Sequence, residues 1–398
     1  MHVITRQALE AARIYRSVGA ISTQLLREST YRAWERSHLQ GANPRAMQVE
    51  QLSSLELERT VEKQEDLIEA VRPYAQILSQ AAGKAHHAVM LSDNRAVLLN
   101  LWADDQTLQL DSFPHPGALL SEGVAGANGI GTPLAEESYA EIVGTEHFIE
   151  GFSPFTCQGI PLRNQKGEIL GVFSISVRSF ESSWKLKELF FCACAGIESE
   201  FILANLKADL LQVLLCNSND YQVLEKLQQD LVQAHQSARL RMDLSSRMLL
   251  GNRIDYAKQL IQQAEQSIEI FRLRANFWRE LAASETGKVK TLSIIDSIRN
   301  LIELLATEAT IRKVVVVAPP LDDPINITVL ENSFLRRLLR YFLRAFEEAG
   351  AGGTVQLEVK RNLKENLAQI NFIIIPKLKK FSLNPNFYTL TLPLKPSP

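Results

Sequence analysis

Residues 126–148 read GANGIGTPLAEESYAEIVGTEHF, and the fold turns on how this stretch is taken. Gly126, Gly129 and Gly131 punctuate a turn, a short apolar run follows, and Glu146-His147-Phe148 closes the segment. A phosphate loop needs a Gly-Lys-Ser/Thr ending, and a dinucleotide turn needs GxGxxG spacing. The stretch has neither.

Outward from it, the pattern alternates with period two. Residues 88–92 (AVMLS) and 96–100 (AVLLN) flank an Asp93-Asn94-Arg95 turn, which predicts a β-hairpin. A second hairpin is predicted over 156–177 around Gln165-Lys166-Gly167. Before these, residues 1–82 carry leucine and alanine at three- and four-residue intervals. Charges such as Glu56, Glu58 and Glu62 take the other faces, a helical pattern. Helix, hairpin, glycine-rich segment, hairpin and helix together resemble a GAF or PAS-like α+β sensor with helices on one side of an antiparallel sheet.

The motifs sharpen the resemblance over about residues 20–200. GANGIGT followed by EHF is similar to the GTN-x-IGT and EHF of the GAF sensor domain in acetoin-catabolism-regulator-type bacterial activators. Residues 28–44 (ESTYRAWERSHLQGANP) look like that family's leader helix and Gly-x-x-Pro stop, with Ala33 in place of its usual serine. Phe155-Thr156-Cys157 and residues 159–172 resemble its Thr-Cys hairpin. Ala127 stands where the family has threonine, so the relatives' ligand does not carry over. The resemblance implies a small-molecule effector in a pocket lined by Asn128, Gly129, Glu146, His147, Phe148 and Cys157. Two readings stand open for Glu146-His147: a ligand-binding pair, or a histidine that pins the loop through a carbonyl. Cys157 is either a redox group or a small apolar filler.

The 398 residues allow two to three domains, and 46% hydrophobic content supports real cores. A net charge of −2 argues against a polyanion binder. Arg6, Glu10, Arg13 and Arg16 interrupt any apolar leader, and no run approaches a membrane span. Four cysteines make no disulfide framework in a chain this long, and the expected compartment is the cytoplasm. Cys192 and Cys194 diverge by about 200° on a helix, which disfavours a shared metal. His86 and His87, at a strand start, are read as solvated.

The second half is helical from about Ser182. Leu203, Leu206, Leu210, Leu214, Leu224, Leu227 and Leu231 recur near heptad spacing, with a break expected at 216–220. A second helix from Arg253, after Gly251-Asn252, completes a hairpin whose duplication would give a four-helix bundle. Residues 286–398 then resemble a histidine-kinase ATPase domain in element order, and residues 338–349 (LLRYFLRAFEEA) look like its N-box helix. Arg340 and Arg344 stand at the matching positions, where a cation repels magnesium instead of holding it. Residues 376–388 (PKLKKFSLNPNFY) lack the glycine-rich loops of an ATP lid.

The expected fold class is therefore α+β: a GAF-like antiparallel sheet with helices, a two-helix dimerisation hairpin, and a shortened ATPase-like sandwich. The expected domains are a helical leader (1–82), sensor (83–200), linker and hairpin (201–285) and degenerate ATPase-like domain (286–398). No cofactor and no catalytic residue are expected. His235 is the candidate phosphoacceptor, but Gln236 replaces the acidic neighbour that the resembling motif uses as a base. The leading functional expectation is a homodimeric regulator acting on a response regulator, a kinase or a transcription activator. An active but divergent histidine kinase is one alternative. A DNA-binding regulator is another, disfavoured because no helix-turn-helix is legible.

Overall fold

The computed structural model describes residues 3–110, 113–178, 180–214, 221–282, 289–320, 325–362, 365–377 and 386–394. The break expected at 216–220, with Cys216, and most of the lid stretch at 378–385 lie outside these residues. Two compact units form, Met1–Ile202 with His235–Glu269, and Leu203–Ala234 with Ile270–Pro398.

In the first unit, α1 (Val3–Val18), α2 (Glu28–Leu39), α3 (Ser54–Lys63) and α4 (Glu65–Ala82) precede β1 (His87–Asp93) and β2 (Leu98–Ala103). Short helices α5 (Asp105–Leu108), α6 (Glu122–Ala125) and α7 (Gly131–Glu136) frame the glycine segment before β3 (Ala140–Val143), β4 (Thr156–Arg163) and β5 (Ile169–Val177). The sheet order is β2-β1-β5-β4-β3, antiparallel throughout. Both expected hairpins are present, and one device sets both turns. Asp93 Oδ1 accepts the N–H groups of Arg95 and Val97 at 2.9 Å, while Asn164 Oδ1 accepts those of Lys166 and Glu168 at 2.9 and 3.0 Å. A side-chain oxygen that satisfies successive amides lets the chain reverse without the ladder.

All seven residues of β1 are buried, so this sheet needs cover on both faces. Val89, Leu91, Phe173 and Ile175 face α4 and the long helix α8 (Phe180–Leu214). The same core takes Ala238 and Met242 of α9 (Tyr221–Leu250) and Ile261, Ala264 and Ile268 of α10 (Ile254–Ala282). Asn252, at a φ of 54°, closes the α9–α10 turn. On the opposite face, Met90, Val172 and Cys157 meet the glycine segment, α1 and α2. Helices on one side only was therefore too few: the leader supplies the second layer.

Trp34 is the keystone of that layer. It is buried, its ring lies edge-on to Phe148 with centroids 5.4 Å apart, and Nε1 donates to the Glu146 carbonyl at 2.7 Å.

The second unit holds β6 (Val289–Ser293), α11 (Ile294–Leu304), α12 (Ala306–Ile311), β7 (Val315–Val317), β8 (Asn326–Leu330), α13 (Glu331–Ala349), β9 (Thr354–Asn362), β10 (Leu367–Ile375) and β11 (Asn386–Pro393). One sheet runs β11-β10-β9-β7, with β7 parallel to β9, and β6 pairs with β8. Leu335, Leu338, Phe342 and Phe346 recur at three- and four-residue spacing and are buried. Phe342 meets the β10 residue Phe372 edge-on, with centroids 5.1 Å apart.

Trp34→Ala should destabilise the first unit by about 3–5 kcal/mol, the range for truncating a buried aromatic. Urea denaturation followed by circular dichroism checks this; an unchanged midpoint would show that the leader is not part of the folded core.

Candidate functional site

Between the sheet and the glycine segment lies a pocket lined by Met90, Leu120, Asn128, Gly129, Ile130 and Cys157, and by Phe113, Pro114, Phe152, Phe155 and Ser176. The centre of a water-sized sphere can reach about 20 Å³ of it. One water needs roughly 10–15 Å³ on that measure, so only a compact guest fits without moving a wall.

Asn128 sits on the wall, but its side chain is fully engaged. Nδ2 donates to the carbonyls of Leu120 and Gly126 at 2.8 and 2.7 Å, and Oδ1 accepts from the N–H groups of Ile130 and Gly131 at 2.8 and 2.9 Å. Two donors and two lone pairs are then all used. Asn128 braces the turn and holds Ile130 in the wall. Gly129 is glycine because a Cβ there would stand 2.5 Å from the Cys157 Cβ.

His147 lies behind the wall, with Nδ1 2.8 Å from the Gly144 carbonyl and Nε2 3.2 Å from Cys157 Sγ. Burial drives its pKa down to about 4, so the ring is neutral at pH 7. A carbonyl only accepts, which puts the proton on Nδ1 and leaves Nε2 as an acceptor. Burial likewise pushes Cys157 up to about 12, so it is a thiol, and its Sγ also lies 2.9 Å from Ser176 Oγ.

Glu146 and Phe148 point elsewhere. The Glu146 carboxylate is buried, takes both Nε (2.7 Å) and Nη2 of Arg27, and accepts from the Val143 N–H at 2.9 Å and the Thr30 hydroxyl at 3.3 Å. Phe148 packs on Tyr15 and Trp34. Of the six residues expected to bind ligand, Asn128, Gly129 and Cys157 line the pocket, while Glu146, His147 and Phe148 build the layer behind it. Sequence reasoning missed Ser176 and the apolar walls. The alternation of 173–177 (FSISV) held the signal, since Ser176 pairs with Cys157 across the β4–β5 ladder.

Two other histidines are not surface groups. His87 is 3% exposed and bonds Ser79 Oγ and the Ala85 carbonyl at 2.8 and 2.7 Å, because β1 has no solvated face. His235 is 2% exposed, with Nε2 2.9 Å from Glu200 Oε1, where α9 packs on α4 and α8. In the second unit, the Arg344 guanidinium lies 4.3 Å from the Tyr388 ring centroid, and its Nε is 3.4 Å from Glu348. Among the described residues, no cluster could hold a metal ion and no helix is long and apolar enough to cross a membrane.

Residues 5–199 match the model of the MimR N-terminal domain. That segment contains the whole pocket. The chain is 28% identical over 169 residues to a signal-transduction and transcriptional-control protein of Clostridium beijerinckii, covering 42% of this chain and 26% of that protein. It is 24% identical over 286 residues to the propane 2-monooxygenase operon transcriptional activator MimR of Mycolicibacterium smegmatis, covering 70% of this chain and 47% of that one. The chain thus spans between a quarter and a half of these relatives' lengths. Among solved structures, the E. coli DhaR(N)-DhaL complex aligns over 50% of this chain and 67% of that chain, at 14% identity and a TM-score of 0.43.

The buried neutral His147 should make stability depend on pH. Its folded pKa of about 4 lies below the unfolded value of 6.5, so only the unfolded chain gains a proton as pH falls between them. Stability should be full above about pH 6.5 and fall by about 3 kcal/mol on approach to pH 4. His147→Asn, which keeps a donor for Gly144, should flatten that segment of a pH series of urea midpoints. An unchanged slope would show that another group carries it.

Proposed function

We propose that this chain is a signal-sensing regulatory protein, in which the first unit binds a small molecule and reports its presence through protein contact in transcription control or signal transduction. The observation that carries the reading is the small apolar pocket between the sheet and the glycine segment, lined by a braced turn and apolar side chains. Such pockets, apolar with few polar groups, are the usual form of small-molecule sites. The two relatives, a transcriptional activator and a signal-transduction and transcriptional-control protein, support the regulatory role.

In this reading the sensor is of the GAF type and the second unit is a kinase-like domain without catalysis. Arg344, stacked on Tyr388 and beside Glu348, acts as a structural cation where the resembling helix has its metal ligand. The output partner is a response regulator, a kinase or a transcription activator in the cytoplasm. Self-association runs through the outer faces of the helical hairpin, where Leu240 and Tyr256 are 60% and 65% exposed. His235 serves as a packing residue, because a phosphoryl donor reaches it only after α9 has left α4 and α8.

Two measurements test this. Incubation of the full chain with radiolabelled ATP and magnesium should leave it unlabelled; label that disappears in His235→Asn would replace this reading with an active kinase. Deletion of the gene in its host should abolish the metabolite-dependent induction of a defined set of transcripts. An unchanged transcriptome across growth substrates would remove the regulatory role.

A further inference from the structure

Resting on the reading that the chain acts by protein contact, we infer that the outer face of the four-stranded sheet in the second unit docks another protein, one that presents an apolar surface flanked by carboxylates.

A sheet covered on one face is apolar inward and polar outward. Inward the rule holds throughout: Val355, Leu357, Ile370, Phe372 and Ile374 are buried on the side where Phe342 packs. Outward it holds at one end only. There Glu358, Asn371 and Thr389 form one row across β9, β10 and β11, and Lys360, Gln369 and Thr391 form the next. At the other end the ladder aligns Val317, Gln356, Ile373 and Phe387 in a row across all four strands. Val315, Thr354 and Ile375 lie in the row beside it. Phe387 is 68% and Val315 58% exposed, and Val317 and Ile375 are exposed as well. Single exposed apolar residues are ordinary on a protein surface, whereas a contiguous patch marks an interaction site. Here five apolar side chains reach from one edge strand, β7, to the other, β11.

Charge at the rim selects the occupant. Lys313 and Lys377 are exposed and gather at the apolar end, around Gly352. The Lys313 carbonyl accepts the Gly352 N–H at 2.7 Å, and a Cβ on Gly352 would collide with the Lys377 side chain. Among the described residues neither lysine is in an ion pair, whereas Glu358 and Lys360 at the polar end meet at 2.9 Å. A second copy docking through this face would be isologous, so the patch would meet itself and both copies' lysines would ring one contact. Like charges around a contact oppose it, and carboxylates there favour it and speed encounter. Residues 286–398 carry sixteen Lys and Arg against ten Asp and Glu, an excess that the chain's overall charge of −2 conceals. That region as a whole attracts an acidic surface. Nucleic acid is acidic too, but its phosphates leave Val315, Val317 and Ile375 uncovered. The patch therefore selects a protein.

The full chain, expressed in its host with photoreactive benzoylphenylalanine in place of Phe387, tests this. Irradiation should couple position 387 to a different protein, and mass spectrometry should place the link in an apolar segment bordered by Asp or Glu. Lys313→Glu combined with Lys377→Glu should lower the yield at least about threefold, because the rim then repels those carboxylates. Phe387→Asp should reduce metabolite-dependent induction at least about tenfold, the scale of losing one aromatic anchor. Thr391→Asp, on the polar end of the same face, should leave induction unchanged. Val317→Lys, at the opposite edge of the patch, serves in place of Phe387→Asp if circular dichroism shows that variant unfolded. A link to this chain's own peptides, a link to nucleic acid, no link, or a yield indifferent to the lysine reversals would each overturn the inference. So would wild-type induction in both Phe387→Asp and Val317→Lys; gene deletion would still abolish induction in that case, and the regulatory reading would stand. If deletion itself changes no transcripts, the regulatory reading fails and the cross-link alone decides the docking face.

Discussion

A carboxylate taken out of water has to be paired, and Glu146 is where this fold meets that demand. Its oxygens take a forked pair of donors from Arg27 and the amide of Val143, while its own carbonyl receives the Trp34 indole. Arg27 and Trp34 bracket the first two turns of α2, so satisfying one buried charge fixes the helix in position and angle. Nine residues along, Arg36 repeats the arrangement with Glu122 at 2.6 and 3.0 Å and Glu136 at 2.7 Å. Pairs of this kind contribute little net stability against an apolar substitute, yet losing one member strands the other charge in the interior. They act as locks on geometry. The leader is held to the glycine segment in one register because any other strands a buried carboxylate.

That lock explains why the pocket can be nearly free of polar groups. Its walls do not need to hold themselves together through bonds that face the cavity. The turn is braced from within by Asn128, His147 is tied to the Gly144 carbonyl, and Glu146 is clasped on the far side. The cavity then shows mainly carbon and sulfur, with one loosely engaged hydroxyl.

The parts of this architecture that were legible in the sequence are those with a local cause. The hairpins could be read because Asp93 and Asn164 are turn-makers between alternating apolar runs. The helix expected over 338–349 falls within α13, because Leu338, Phe342 and Phe346 repeat along one buried face. What failed depended on partners remote in the chain. His87 reads as solvated until β1 is covered on both faces, and the burial of His235 emerges only when folding brings Glu200 beside it. The second layer over the sheet was hidden because Arg27 and Glu146 are 119 residues apart. In the EHF triplet the chemistry was visible but its direction was not, since adjacent side chains leave an irregular loop on different sides. His147 backs the pocket, while Glu146 and Phe148 face the leader.

The division of labour between fixed and yielding walls limits how the site can respond to a guest. Asn128, Gly129 and Cys157 are held by hydrogen bonds or by contact with backbone, and moving them breaks several interactions together. Phe152, Phe155 and Phe113 are held mainly by dispersion, with Phe113 and Phe155 meeting edge-on at 5.0 Å between centroids. Each such contact is weak and can be exchanged for an equivalent contact with a guest. A guest larger than the resting space would have to displace these aromatics, while the braced turn would stay intact. Phe152 also stands 6.1 Å from the His147 ring, centroid to centroid. The yielding wall thus touches His147, the residue next to Glu146, and through it adjoins the locked layer that holds α2.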